Sequence, residues 1–383
     1  MMKIFRKFVY VFLAIVGCLV VLYFALPSYQ YLLKAIIYKY PKIDQYTIFH
    51  NRIVKAGSPL PWKAANEYNR LSIPDKYLNE FKKNETIAFV VIKDSALWFE
   101  QYWEGYSNHS YSNPFSMTKS IVSLALGCAI DDSVIRNVDQ PVSDFFPQFK
   151  GYKGTPLTIR HLLTMSAGVD LIDSNEAFAS APRLYYGSDL HQVVFSTKEI
   201  AEPGKRFIYQ SGVTQLLAFL IEKATGENLA SYVSRKLWTP MHAEENALWS
   251  LDRKGGMEKA YCCFNSNARD LARFGQLILN KGSWDGKQLV SETYLKQAIV
   301  PDTTLVEGDS NEINHEYGFQ YWIMNYKGMM IPYMSGMAGQ YVFAIPDKNM
   351  VVVRLGRQEG DRQTWLDAAM DLIAEKPDFI ISK

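Results

Sequence analysis

Cysteine is scarce in this chain, with four residues in 383, at Cys18, Cys128, Cys262 and Cys263. Cys18 and Cys128 fall inside apolar stretches, and the other two are adjacent. Vicinal cysteines seldom bridge, so no disulfide framework is expected, and no spacing fits a zinc site. Histidine is also sparse, with six residues and no metal-type spacing. His161 lies in an apolar helical pattern and reads as a satisfied core residue. His50, His109, His191, His242 and His315 lie in polar or turn-like surroundings. No serine stands in a Gly-x-Ser-x-Gly context, which argues against a nucleophile-elbow hydrolase. The formal net charge is +2, nearly balanced. No basic block or aromatic–basic interleaving is present, so nucleic acid is not an expected partner. Internal repeats and low-complexity tracts are missing as well.

What is present is apolar and aromatic. Hydrophobic residues make up 48% of the chain and aromatics 14%, enough for a sizeable core. The length suits one large domain or two ordinary ones. Phe8 to Leu26 is an uncharged apolar run, and crossing a bilayer takes roughly 20 such residues. Lys3, Arg6 and Lys7 precede it, and positive flanks stay in the cytoplasm. Residues 1–27 are therefore expected to be a transmembrane anchor. The protein would be a single-pass membrane protein with the remainder outside the cytoplasm, periplasmic or extracellular. A cleaved signal peptide normally has a shorter apolar region and a small-x-small site. Ile15-Val16-Gly17-Cys18 loosely resembles a lipoprotein cleavage site, but Leu19 to Leu26 stays apolar where a mature lipoprotein turns polar.

Residues 28–84 read as a juxtamembrane segment with leading helices. Ser28 to Leu60 is aromatic and basic, a linker or short helix near the headgroups, and Trp62 to Lys83 suggests one or two amphipathic helices interrupted by Pro74. Residues 85–375 read as one domain and 376–383 as a tail. Thr86–Lys93 and Ala96–Trp103 form a strand pair turning at Asp94-Ser95. Helical patterns follow at Thr158–Met165, Val213–Ala224, Leu229–Leu237 and Asn267–Asn280. Strand patterns return at Tyr317–Met324, Met329–Tyr333, Gln340–Ile345 and Met350–Leu355, and Thr364–Ala374 closes the domain as a helix. The expected class is α+β. An antiparallel sheet is built from both chain ends and flanked by helices, with an all-helical region inserted between.

One stretch carries chemistry: Phe115-Ser116-Met117-Thr118-Lys119-Ser120. Pro114 sets a helix start just after itself, which places Ser116 and Lys119 on one face a turn apart. The next ten residues are apolar on nearly every side, as in a helix buried within a large core. The bland alternative is an N-cap serine with a solvated lysine, and the apolar context argues against solvation. Lost hydration favours the neutral amine, which can take a proton from the neighbouring hydroxyl. The helix N-terminus adds partial positive charge and a backbone N–H where an oxyanion would form.

Further stretches appear in order: Asp139-Gln-Pro-Val-Ser-Asp144, Thr158-Ile-Arg-His-Leu-Leu-Thr-Met-Ser-Ala-Gly168, Pro203-Gly204, Tyr209-Gln-Ser211, Ala268-Arg-Asp-Leu-Ala-Arg-Phe-Gly275 and Ser335-Gly336. Together with the Ser116 motif, over about Glu85 to Ala374, they resemble the serine β-lactamase and penicillin-binding-protein superfamily on its class C side. The closing stretch, Gly339 to Pro346 with Val351-Val-Val-Arg354, is most similar to the 6-aminohexanoate-dimer hydrolase-like subgroup. The resemblance implies Ser116 as acylated nucleophile, Lys119 as its base and Tyr209 as proton shuttle. It implies an oxyanion and substrate-binding set of Ser116, Ser211, Ser335, Gly336 and Met337, with Met337 pairing its backbone N–H with that of Ser116. No metal or organic cofactor is required.

Two departures matter. Ser211 stands where the family often has Asn. Met334 stands where the third motif usually has Lys or His, and it cannot bind a substrate carboxylate. That turns the expectation from a β-lactamase or D-alanyl carboxypeptidase towards a hydrolase of small or peptide-like esters or amides. A catalytically idle domain that binds peptidoglycan fragments or acts as a scaffold is the rival from another class.

Overall fold

A computed structural model describes residues 2–25, 29–171, 173, 180–308 and 310–374. Its centre is a six-stranded sheet. β1 (Thr86–Lys93) and β2 (Ala96–Tyr102) come from the front of the domain. β3 (Trp322–Tyr326), β4 (Met329–Gly336), β5 (Gln340–Ile345) and β6 (Met350–Gly356) come from its end. The order is β3-β4-β5-β6-β1-β2, and every neighbouring pair is antiparallel. The β6–β1 seam, with Val353 opposite Val90, closes the domain by joining its two ends.

The longer helices, in chain order, are α1 (Met2–Ala25), α2 (Gln30–Tyr38), α3 (Asp75–Lys83), α4 (Met117–Asp131), α5 (Ser211–Thr225), α6 (Ala268–Leu279) and α7 (Arg362–Ala374). Side chains of a strand alternate between the faces of its sheet, and β1 sorts accordingly. Ala88, Val90 and Ile92 join the large core containing α4, α5 and α6. Phe89 and Val91 join a second core with Phe81 of α3 and Trp365 of α7. A strand covered on both faces reads as a continuous apolar run, which is why β1 and β6 were legible. Every residue of α4 from Met117 to Ala129 is buried, matching its nearly all-round apolar sequence. The expected α+β class, with helices inserted between β2 and β3, is the one observed.

Several local expectations need correction. Of the one or two helices expected over Trp62–Lys83, one forms, α3, directly after Pro74. Lys63 O and Ala65 N instead bond to Leu97 N and O at 2.8 and 2.9 Å, so the backbone is satisfied along the open edge of β2. The segment before it, expected as a linker or short helix, contains the short helix α2 and then packs on the domain. Asn51–Val54 pairs with Ala247–Ser250, and Ile43 and Val54 are buried. The strand expected at Tyr317–Met324 begins only at Trp322, because Gln320 takes a left-handed turn at φ +65°. Cys262 and Cys263 are joined by a disulfide, against the expectation of free thiols. They lie in a turn where Cys263 has φ +71°.

At the amino end α1 is a 24-residue helix. Its described side chains Phe5, Phe8, Tyr10, Val11, Phe12 and Leu13 are exposed. Among the described residues no helix is long and apolar enough to cross a membrane. Side chains 15–16, 19–22 and 24, and residues 26–27, belong to the expected span but lie outside the described residues. The expected tail, 376–383, also lies outside them.

Candidate active site

Ser116 is the N-cap residue of α4, with φ −64°, and is half-buried. The turn that delivers it is unusual, since Phe115 has φ +46°, a region bulky side chains seldom occupy. Asn113, 2% exposed, holds it there. Asn113 Oδ1 accepts from Phe115 N at 2.9 Å and from Cys263 N at 3.1 Å. The serine turn is thereby tied to the Cys262–Cys263 turn. Sequence reasoning missed Asn113, whose only signal is a short polar residue just before Pro114.

One turn along, Lys119 is 1% exposed. Its Nζ donates to Ser116 Oγ at 2.9 Å and to Tyr261 O at 3.0 Å. The Tyr209 ring centroid lies 4.9 Å from the same nitrogen and that of Tyr261 5.8 Å. Among the described residues no carboxylate pairs with it. An amine 2.9 Å from a hydroxyl has the reach of a general base.

Tyr209 arrives from another part of the chain, between the short strand Arg206–Phe207 and the start of α5. Its ring stacks on Trp322 at 5.8 Å and meets Tyr317 edge-on at 6.0 Å. The junction that sets α5 against α4 is Gln320. Its Oε1 accepts from Thr214 Oγ1 of α5 at 2.7 Å, and its backbone O accepts from Ser120 Oγ of α4 at 2.6 Å. Its Nε2 donates to Leu162 O and Leu163 O at 3.0 and 2.9 Å. Buried polar hubs of this kind specify one arrangement because each broken bond strands a polar atom. Gln320 was hidden within an aromatic stretch that read as a strand.

The third motif runs along β4. Met334 is fully buried in the apolar core, Ser335 is half-buried and the Met337 side chain is 44% exposed. Gly336 touches the serine turn. A Cβ added there would lie 2.1 Å from Pro114 O, a backbone atom that cannot swing away. Glycine is thus what lets the end of β4 close on Ser116. Gly336→Ala should lower stability by about 1–3 kcal/mol through overpacking, read as a drop in thermal midpoint. An unchanged midpoint would show that the two segments are not in contact. Ser211 behaves differently from expectation. Its N and Oγ both donate to Asp173 Oδ2, at 2.9 and 2.7 Å, so its hydroxyl proton is committed there rather than offered to a substrate. His161, expected to be a satisfied core residue, is satisfied but only half-buried. Its Nδ1 accepts from Thr158 N at 3.1 Å in a capping box, and burial lowers its pKa below the usual histidine range.

The sequence profile of the beta-lactamase family matches residues 75–372. This chain belongs to the beta-lactamase family. It is 25% identical over 305 residues to the 6-aminohexanoate-dimer hydrolase of Paenarthrobacter ureafaciens, covering 73% of this chain and 75% of that one. A Bacillus anthracis structure provisionally named a 6-aminohexanoate-dimer hydrolase superposes with a TM-score of 0.72 at 24% identity, over 87% of this chain and 92% of the other. A family VIII carboxylesterase superposes with a TM-score of 0.63 at 15% identity, over 82% and 99%. The fold is therefore that of β-lactamases and transpeptidases, and the chain is a serine hydrolase of the β-lactamase-related kind.

Proposed function

We propose that this protein is a membrane-anchored hydrolase that cleaves a small ester or amide through an acyl-enzyme on Ser116. The observation that carries the reading is the buried Lys119 amine, 2.9 Å from Ser116 Oγ, with the Tyr209 ring 4.9 Å away. Ser116 Oγ attacks the substrate carbonyl carbon and its proton passes to the Lys119 amine. The N–H groups of Ser116 and Met337 receive the negative oxygen. Collapse of the tetrahedral species breaks the bond to the alcohol or amine, which leaves with a proton relayed through Tyr209. Water then attacks the Ser116 ester, gives up a proton by the same route, and releases the carboxylic acid.

Met334 favours an ester or amide over a β-lactam or a D-alanyl peptide. It puts a neutral thioether in the core where a substrate carboxylate would need a cation. The name of the Paenarthrobacter relative points the same way, to an amide substrate. The rival of an idle scaffold leaves the buried lysine–serine contact without a use. Anchoring rests on the Phe8–Leu26 run and the basic residues before it, with the hydrolase domain outside the cytoplasm.

The test is covalent labelling of the full chain in detergent. A fluorophosphonate should add one adduct in intact-protein mass, absent from Ser116→Ala, while a fluorescent penicillin should not label. Penicillin labelling would overturn the substrate class, and silence towards every acylating probe would overturn the enzyme reading. Carbonate-resistant membrane fractionation is the expected result for the anchor.

A further inference from the structure

Arg354 of β6 is 0% exposed, and among the described residues no carboxylate answers its charge. The guanidinium lies beneath the loop that joins β4 to β5, residues Met337, Ala338 and Gly339. Its Nη1 donates to Ala338 O at 3.2 Å, Gly339 O at 2.8 Å and Gln358 O at 2.8 Å. Nη2 donates to Asn84 O at 2.6 Å and to Thr86 Oγ1 at 3.0 Å, and Nε donates to Thr86 Oγ1 at 3.1 Å. The face of Trp365 covers it at 4.6 Å. Burial brings its pKa down to about 10, still charged at neutral pH. Gln340 completes the grip. Its Nε2 donates to Met337 O at 3.3 Å and Ala338 O at 3.1 Å, and also to Gly356 O at 2.5 Å.

All three carbonyls of the loop are thus held by side-chain donors, Met337 O by Gln340, Ala338 O by both and Gly339 O by Arg354. Ala338 and Gly339 sit at φ +63° and +75°, so the loop departs sharply from strand geometry. A Cβ on Gly339 would lie 2.1 Å from Arg354 Nη1, so the fit is close. Desolvating a charge without an acidic partner is expensive. A neutral side chain could fill this volume, but only a planar fork of five donors can hold several carbonyls at fixed angles. Peptide planes are rigid. Holding the carbonyls downstream of Met337, with Gly336 paired to Gln340 upstream, leaves the Met337 N–H little freedom to turn.

We propose that Arg354, with Gln340, is a positioning residue that aims the Met337 N–H at the oxyanion. This rests on the reading of Met337 as an oxyanion donor. The experiment uses the full chain in detergent, with fluorophosphonate labelling rates, p-nitrophenyl acetate kinetics and thermal midpoints. Arg354→Lys keeps a cation but loses the fork. It should lower kcat and the labelling rate roughly 10- to 100-fold with KM within about twofold, the pattern of lost transition-state stabilisation. Gln340→Ala leaves the buried cation untouched and should move the same quantities in the same direction. It decides the matter if Arg354→Lys does not fold. Met337→Pro, which deletes the N–H itself, separates the two layers of the argument. If Met337→Pro loses the rate and the folded clamp variants keep it, the positioning role is wrong and the oxyanion role stands. If Met337→Pro keeps the rate, both are wrong. A loss in the clamp variants that vanishes on cooling well below the midpoint would also overturn the proposal, since it would reflect stability alone.

Discussion

Lys119→Met should fold and yet acylate Ser116 roughly 10²- to 10⁴-fold more slowly than the wild type, the usual span for a lost general base. Folding should survive because the change removes a polar head from a site that is 1% exposed and leaves the stem's volume nearly intact. Ser116 Oγ and Tyr261 O, which accept from Nζ at 2.9 and 3.0 Å, lose that donor; the buried Tyr261 O costs about 1–3 kcal/mol. The acylation rate responds differently because without the amine the Ser116 proton has no acceptor at 2.9 Å. The measurement is fluorophosphonate labelling against time, with Ser116→Ala as the blank and a thermal melt alongside. Labelling at the wild-type rate would remove Lys119 from the chemistry.

Tyr209→Phe is expected to separate the two halves of the reaction. The ring contacts with Trp322 at 5.8 Å and Tyr317 at 6.0 Å remain, so stability should change little. What disappears is the hydroxyl. A p-nitrophenolate leaves without needing a proton, so acylation by p-nitrophenyl acetate should be nearly retained. Hydrolysis of the acyl-enzyme, which must strip a proton from water, should fall roughly 10²- to 10⁴-fold. The acetylated protein should then accumulate in intact-protein mass spectra after a burst. An anilide substrate, whose amine must be protonated to leave, should lose acylation as well. Wild-type turnover of both substrates would remove Tyr209 from the proton path.

These expectations divide by how far apart their residues lie in the chain. Ser116 and Lys119 were legible together because helical periodicity alone puts residues three apart on one face. The apolar run after them fixed the burial that the structure reports. β1 and β6 were legible for a similar reason, as unbroken apolar strands between turn residues. Of the one or two helices expected over Trp62–Lys83, the one after Pro74 formed; before it, Lys63–Ala65 bonds to the open edge of β2 instead. Cys262 and Cys263 misled because their bridge lies in a turn where Cys263 is left-handed and bonded to Asn113, 150 positions away. Ser211 lay just ahead of the helix expected at Val213–Ala224; α5 begins at Ser211 itself, and its hydroxyl goes to Asp173, 38 positions away.

By itself, the order of residues determined the α+β class, the buried helix carrying a serine and a lysine one turn apart, and the neutral methionine where a cation would hold a carboxylate. The serine–lysine pair depends on neighbours within a few positions, where backbone periodicity sets the geometry; the class follows from the order of strands and helices along the chain, and the reading of Met334 rests on the family resemblance. Tertiary structure alone decided that Tyr209 faces Lys119, that Gln320 locks α5 to α4, and that Arg354 grips the loop beside the serine. Those contacts join residues tens to hundreds of positions apart. Their partners are backbone carbonyls and ring faces, which every sequence supplies and only a folded chain brings together.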